Sequence, residues 1–174
     1  MSTAKAPIPD VGTDRQLFVD NYWIDQCRGL ERRLHTPERR EIVIVNDKPW
    51  DNGVSVGGFI QDGDRYRAWY RCDHDPTKVL RRSGHDTAYA ESTDGIHWEK
   101  PSLGIFEVNG SKNNNLVWMG PGANMVPFKD PNPDIPEDER YKAIVRGDMV
   151  VRALVSANGT HWRLIQEEPI LTEG

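Results

Sequence analysis

Residues 92–98 read STDGIHW, and residues 156–162 read SANGTHW. Seven near-identical residues written twice signal an internal repeat, and a repeat decides the architecture before any single element does. Each copy centres on an Asx-Gly pair, Asp94-Gly95 and Asn158-Gly159. Such a pair between β-rich runs predicts a type I′ hairpin, in which both central residues need positive φ. The runs just before them, DTAYAES at 86–92 and VVRALVS at 150–156, are strand-like. His-Trp follows each pair, and then a second strand bearing a proline.

The similarity extends upstream. RYRAWYR at 65–71 matches RYKAIVR at 140–146, and the first copy carries extra, turn-rich residues within 72–86. Insertions in repeats fall on loops. Further upstream, VSVGGFIQDGD at 54–64 and NMVPFKDPNPDIPEDE at 124–139 each offer a strand and a turn-rich connection. Each copy thus holds four short antiparallel strands, the plan of a β-propeller blade. The expected fold is all-β, an incomplete β-propeller with blade one at 54–103 and blade two at 115–171. A lead-in at 14–50, including RQLFVDNYWID, supplies a strand or a cap, and residues 1–13 form a disordered tail. Propellers close a ring of about four to eight blades. Two blades therefore lead to the expectation of a fragment of a longer protein, with self-association through the open blade face.

Composition narrows the partners. The net charge of −5 argues against nucleic acid and anionic membranes. No apolar run reaches the roughly 20 residues that span a bilayer. The opening MSTAKAPIPDVG has no apolar signal region, so the cytoplasm is the default expectation. Cys27 and Cys72 read as plain thiols. CDHDPTK with His85 and Asp86 lacks zinc or calcium spacing, and the Gly-Pro-Gly at 120–122 lacks the phosphate-loop pattern. Neither a metal nor a cofactor is expected.

The pieces LFVDNYWI, LERRLHTPE, DKPWDNG, RYRAWYR, AESTDGIHWEKPSLG, GSKNNNLV, FKDPNPDIPEDERYKA and VSANGTHW follow one another in that order. Together they resemble the N-terminal portion of the five-bladed propellers of glycoside hydrolase families 32 and 43, the arabinanase, levansucrase and invertase superfamily. The resemblance implies a carbohydrate substrate and three acids on three successive blades.

Glycosidases flank the scissile bond with two carboxyl groups, one donating a proton and one attacking or activating water. The resemblance implies that Asp51, or failing it Asp47, is the first acid. Asp130, in a Lys-Asp-Pro that departs from the family's Arg-Asp-Pro, is implied as the transition-state stabiliser. For the general acid of a third blade this sequence offers no candidate, so the chain alone is expected to be inactive. Asp51 and Asp130 are expected to approach within roughly 10 Å, with Arg71 at the same opening. Arg71 and Arg146, equivalent positions, are candidates for holding sugar hydroxyls, and Trp50 and Trp69 for stacking on a sugar face. Trp98 and Trp162 recur with the repeat and read as core, and His97 and His161 as structural. A non-catalytic carbohydrate-binding or interaction propeller is the alternative, and fold alone does not choose.

Overall fold

The computed structural model describes residues 10–13, 15–75, 85–147 and 149–172. Most of the expected tail (residues 1–9) and the centre of the expected insertion (residues 76–84) lie outside them. The chain divides into two units, residues 1–40 and 41–174. In the first, the described residues form no strand or helix. Local contacts order it. Asp20 Oδ1 accepts the Tyr22 N–H at 2.9 Å, and Tyr22 meets Trp23 edge-on with ring centroids 4.9 Å apart. Of the strand or cap expected from RQLFVDNYWID, no strand is formed within the described residues.

The second unit holds the repeat. Strands β1 (Ser55–Asp62), β2 (Arg65–Cys72), β3 (Asp86–Ser92) and β4 (Leu116–Trp118) make one antiparallel sheet in that order. Strands β5 (Ala123–Lys129), β6 (Tyr141–Gly147), β7 (Val150–Ser156), β8 (Arg163–Leu164) and β9 (Leu171–Thr172) make the second. β8 and β9 both pair with β7, so the expected fourth strand is split in two. Sheet one shows the same plan. Glu91 bridges Glu99, and Thr87 pairs with Trp118, so Leu116–Trp118 belongs to sheet one rather than to the second copy expected at 115–171. Registers also correspond, with Tyr66 opposite Ser92 in one sheet and Tyr141 opposite Ser156 in the other. Among the described residues no helix is long and apolar enough to cross a membrane.

The repeated heptad forms a wider loop than the expected type I′ turn. Gly95 and Gly159 take φ of 76° and 78°, but Asp94 and Asn158 do not have positive φ. The side chains explain the difference. Ser92 Oγ accepts the N–H of Asp94 and of Gly95, and Asp94 Oδ1 accepts the N–H of Ile96 and of His97. Ser156 and Asn158 repeat this set onto Asn158, Gly159, Thr160 and His161. Each loop ends with an indole N–H donated to its glycine carbonyl, Trp98 to Gly95 at 3.0 Å and Trp162 to Gly159 at 2.9 Å. Local side-chain bonds thus satisfy backbone donors that a hairpin ladder would have used.

The two sheets pack face to face. Trp69, Tyr89, Val117, Trp118, Met125, Ala143, Val145 and Leu154 form the layer between them, with Trp162 at its edge. Burial alternates along β5 and β6, the period of a strand with one covered face. β1 approaches β5 closely because it carries glycine. A Cβ on Gly57 would stand 2.6 Å from the Met125 carbonyl oxygen. The outer face of sheet one is a second cluster, Tyr70, Cys72, Ala88, Ala90, Val108 and Leu116, covered by Ile44, Trp50, Val54, Trp98 and Phe106. Residues 41–50 of the lead-in therefore belong with the sheets.

Candidate functional site

One group of titratable side chains of sheet one lies where β1 begins, β2 ends and β3 begins. Asp51 bridges Asp73 just beyond Cys72, and the Asn52 amide donates to the Asp73 carbonyl at 2.9 Å. The antiparallel register pairs Cys72 with Asp86. Continued one step, it sets Asp73 against His85, while His74 turns back to the Asp86 side chain. His85 Nδ1 lies 2.7 Å from Asp73 Oδ2, and His74 Nδ1 lies 2.5 Å from Asp86 Oδ2, which also accepts the His74 N–H at 3.1 Å. The Cys72 thiol sits amid these charges. Burial pushes its pKa up, and the carboxylates of Asp86, Asp51 and Asp73 push it further the same way.

Each carboxylate has a partner. Asp51 has the most. Its Oδ1 accepts the Tyr70 hydroxyl at 3.1 Å, and its Oδ2 accepts Lys100 Nζ at 2.5 Å and the Lys48 N–H at 3.3 Å. Its side chain is fully buried. It holds the lead-in to the sheet through Lys100, which also reaches Asp47 and the Val45 carbonyl, both at 2.6 Å. That bond to Lys100 is the first cause holding the Asp47 carboxyl below its ordinary range. Among the described residues, Asp73 Oδ1 and Arg71 Nε at this end are buried without a hydrogen-bond partner. A carboxylate that accepts an imidazole Nδ1–H leaves Nε2 as an acceptor. His74 is the exposed member, with a quarter of its side chain open to solvent. This end of the strands therefore holds a guanidinium, carboxylates and imidazoles, a set suited to hydroxyl groups. Among the described residues no group of three His, Cys, Asp or Glu is arranged to hold a metal ion.

The residues expected from sequence scatter around this cluster. Arg71 and Arg146 occupy equivalent register positions at the same end, opposite Ser55 and Ala123. Trp50 gives its indole N–H to Asn115 Oδ1 at 2.7 Å and packs on the Tyr70 cluster. Trp69 is fully buried between the sheets and donates to the Gly159 carbonyl at 2.8 Å, so it has no face for a sugar. Asp130 does not join Asp51. Asp51 precedes β1, whereas Asp130 follows β5, the strand equivalent to β1 and packed beside it. The two acids lie at opposite ends of strands about 23 Å long at ~3.3 Å per residue. Asp130 opens the Asp-Pro turn, accepting the Asn132 N–H at 2.9 Å and Lys142 Nζ at 2.7 Å. The Lys142 bond first, and then that N–H, lower its pKa. Sequence reasoning weighed Asp73 and His74 only as metal ligands, within CDHDPTK, and passed over Lys100. The mirrored Asp-His and His-Asp at 73–74 and 85–86 were the available signal.

No family model matches the chain. Two curated proteins of Mycobacterium tuberculosis are similar to part of it. They are uncharacterized protein MT1551 of strain CDC 1551 / Oshkosh and uncharacterized protein Rv1502 of strain ATCC 25618 / H37Rv. Each is 38% identical over 71 residues, which is 41% of this chain and 24% of the relative.

Proposed function

We propose that the chain is part of a carbohydrate-handling β-propeller of the five-bladed, glycoside hydrolase-like type. The glycan is engaged at the end of the sheets that carries Arg71, Asp73, His74 and Arg146. The observation that carries this reading is the buried Asp73–His85 pair and the part-buried Asp86–His74 pair, with Asp73 Oδ1 and Arg71 Nε unpartnered at the same end of the strands. Buried polar atoms without partners are costly, and a hydroxyl-rich ligand satisfies both an acceptor and a donor. Within this reading Asp51 is a structural anchor, because Lys100 and Tyr70 already hold its carboxylate. The chain's own contribution is binding and electrostatics. Hydrolysis needs a second carboxyl group across the scissile bond, and Asp130 stands at the wrong end for that. A panel of neutral and uronic oligosaccharides, screened by calorimetry and by release of reducing ends, tests this. Arg71→Ala and Asp73→Asn are expected to weaken binding by about tenfold or more, the cost of a lost charge-assisted bond, while Asp130→Ala leaves it unchanged. No binding to any member, or binding insensitive to both substitutions, overturns the reading.

A further inference from the structure

Three Asn-Gly pairs occur in the chain, at 52–53, 109–110 and 158–159. Such a pair can react with itself. The backbone nitrogen after the asparagine attacks the side-chain Cγ, and glycine, with no Cβ, leaves that approach unhindered. The reaction needs a free nitrogen and a side chain able to turn towards it. The three pairs differ in both respects.

Asn158 is locked at both ends. Its Oδ1 accepts the N–H of Thr160 at 3.0 Å and of His161 at 2.9 Å, and the nitrogen that would attack, that of Gly159, donates to Ser156 Oγ at 2.9 Å. Gly159 is also buried. Asn52 is held through the group that would leave. Its Nδ2 donates to the Pro49 carbonyl at 3.3 Å and to the Asp73 carbonyl at 2.9 Å. Asn109 has neither restraint. It stands at the tip of a two-residue turn, across which Val108 and Ser111 exchange backbone bonds at 2.9 and 3.1 Å. Asn109 and Gly110 take φ of 52° and 77°, the positive values of a type I′ turn. The ladder bonds use the N–H groups of Val108 and Ser111 and leave out that of Gly110. Among the described residues neither the Asn109 side chain nor the Gly110 N–H has a hydrogen-bond partner. Both residues are exposed, and chain neighbours apart, nothing lies within 4 Å of where a Cβ on Gly110 would stand.

We propose that Asn109 is a modification site, at which the folded chain converts asparagine spontaneously to aspartate and isoaspartate while Asn52 and Asn158 are protected. The Gly110 nitrogen gives up its proton and bonds to Asn109 Cγ. The Cγ–Nδ2 bond breaks, and Nδ2 leaves as ammonia with that proton. Water then opens the cyclic imide. Opening at the side-chain carbonyl gives aspartate. Opening at the main-chain carbonyl gives isoaspartate, which carries the chain through its Cβ and adds a methylene to the turn. A turn so lengthened no longer sets Val108 opposite Ser111, and Val108 is buried in the cluster of Tyr70 and Leu116. Either product adds a negative charge to a chain that already carries −5. This inference does not rest on the glycan reading.

The test incubates the intact chain at mildly alkaline pH, where the attacking nitrogen loses its proton more readily. Peptide mapping by mass spectrometry follows the conversion of each pair. A parallel sample in urea gives the rates of the unfolded chain, so the ratio of unfolded to folded rate at each pair removes the effect of neighbouring sequence. That ratio is expected to be at least about tenfold larger at Asn52 and at Asn158 than at Asn109, because each of those must first give up two or more hydrogen bonds. In the folded chain the product at Asn109 is expected to include isoaspartate. Equal ratios at the three pairs, or a folded chain in which Asn109 is protected as well as Asn52 or Asn158, overturns the proposal.

Discussion

Trp69 and Ile144 occupy the same place in the two copies, and one substitution at each separates covered from open. Trp69 is fully buried among Tyr89, Met125, Val145 and Leu154, with Trp162 6.5 Å away edge-on. Trp69→Ala removes the ring from the layer between the sheets. The Gly159 carbonyl keeps the Trp162 N–H, so no orphaned acceptor is added to the loss. The cost is then that of a large aromatic truncated in a core, about 3–5 kcal/mol. For a unit of this size that lowers Tm by on the order of 10–20 °C. Ile144→Ala, on the open face, costs under about 1 kcal/mol. Urea denaturation followed by far-UV circular dichroism measures both without relying on tryptophan emission. A Trp69→Ala loss below about 1.5 kcal/mol, or equal losses at the two positions, refutes the reasoning that sheet two covers Trp69.

Asp51→Asn leaves the Lys100 ammonium, whose side chain is only 8% exposed, without its buried partner. It is expected to destabilise the protein by about 3–5 kcal/mol, and a near-neutral effect in the same assay would return Asp51 to the list of catalytic candidates. His97 is exposed, and its bond to Asp94 at 2.6 Å raises its pKa from 6.5, while the same bond is the first cause lowering that of Asp94. The raised histidine stabilises fully below about pH 6.5, and that contribution fades as pH rises through its folded pKa. The lowered aspartate stabilises above about pH 4, and that contribution fades as pH falls. An NMR titration of the imidazole is expected to show a midpoint above 6.5 that drops in Asp94→Asn.

The repeat is legible in sequence because its turn chemistry is local. Ser, Asx, Gly and Trp at fixed spacing each make a bond within the loop, so the pattern survives in sequence. The match between RYRAWYR and RYKAIVR likewise marks β2 and β6 as counterparts. The hairpin type differs from expectation because Ser92 and Asp94 take the backbone donors that a two-residue turn leaves to the ladder. The site is harder to read. Asp51 stands out in sequence, but its burial depends on Lys100, forty-nine positions on, which no local pattern announces. Asp130 stands out by its proline neighbour, and only the register shows that it closes a strand rather than opening one. Trp69 looks available because an aromatic in a strand gives no sign of which face a second sheet will cover.

Chemical-shift mapping by 15N-resolved NMR, with an oligosaccharide titrated into the intact chain, bears most directly on the proposed function. The perturbed amides are expected at Asn52, Arg71, Asp73, His74 and His85, with those around Asp130 and Lys142 unmoved. Perturbations centred on Asp130, or none at the Asp73–His85 end for any glycan that binds, would contradict it.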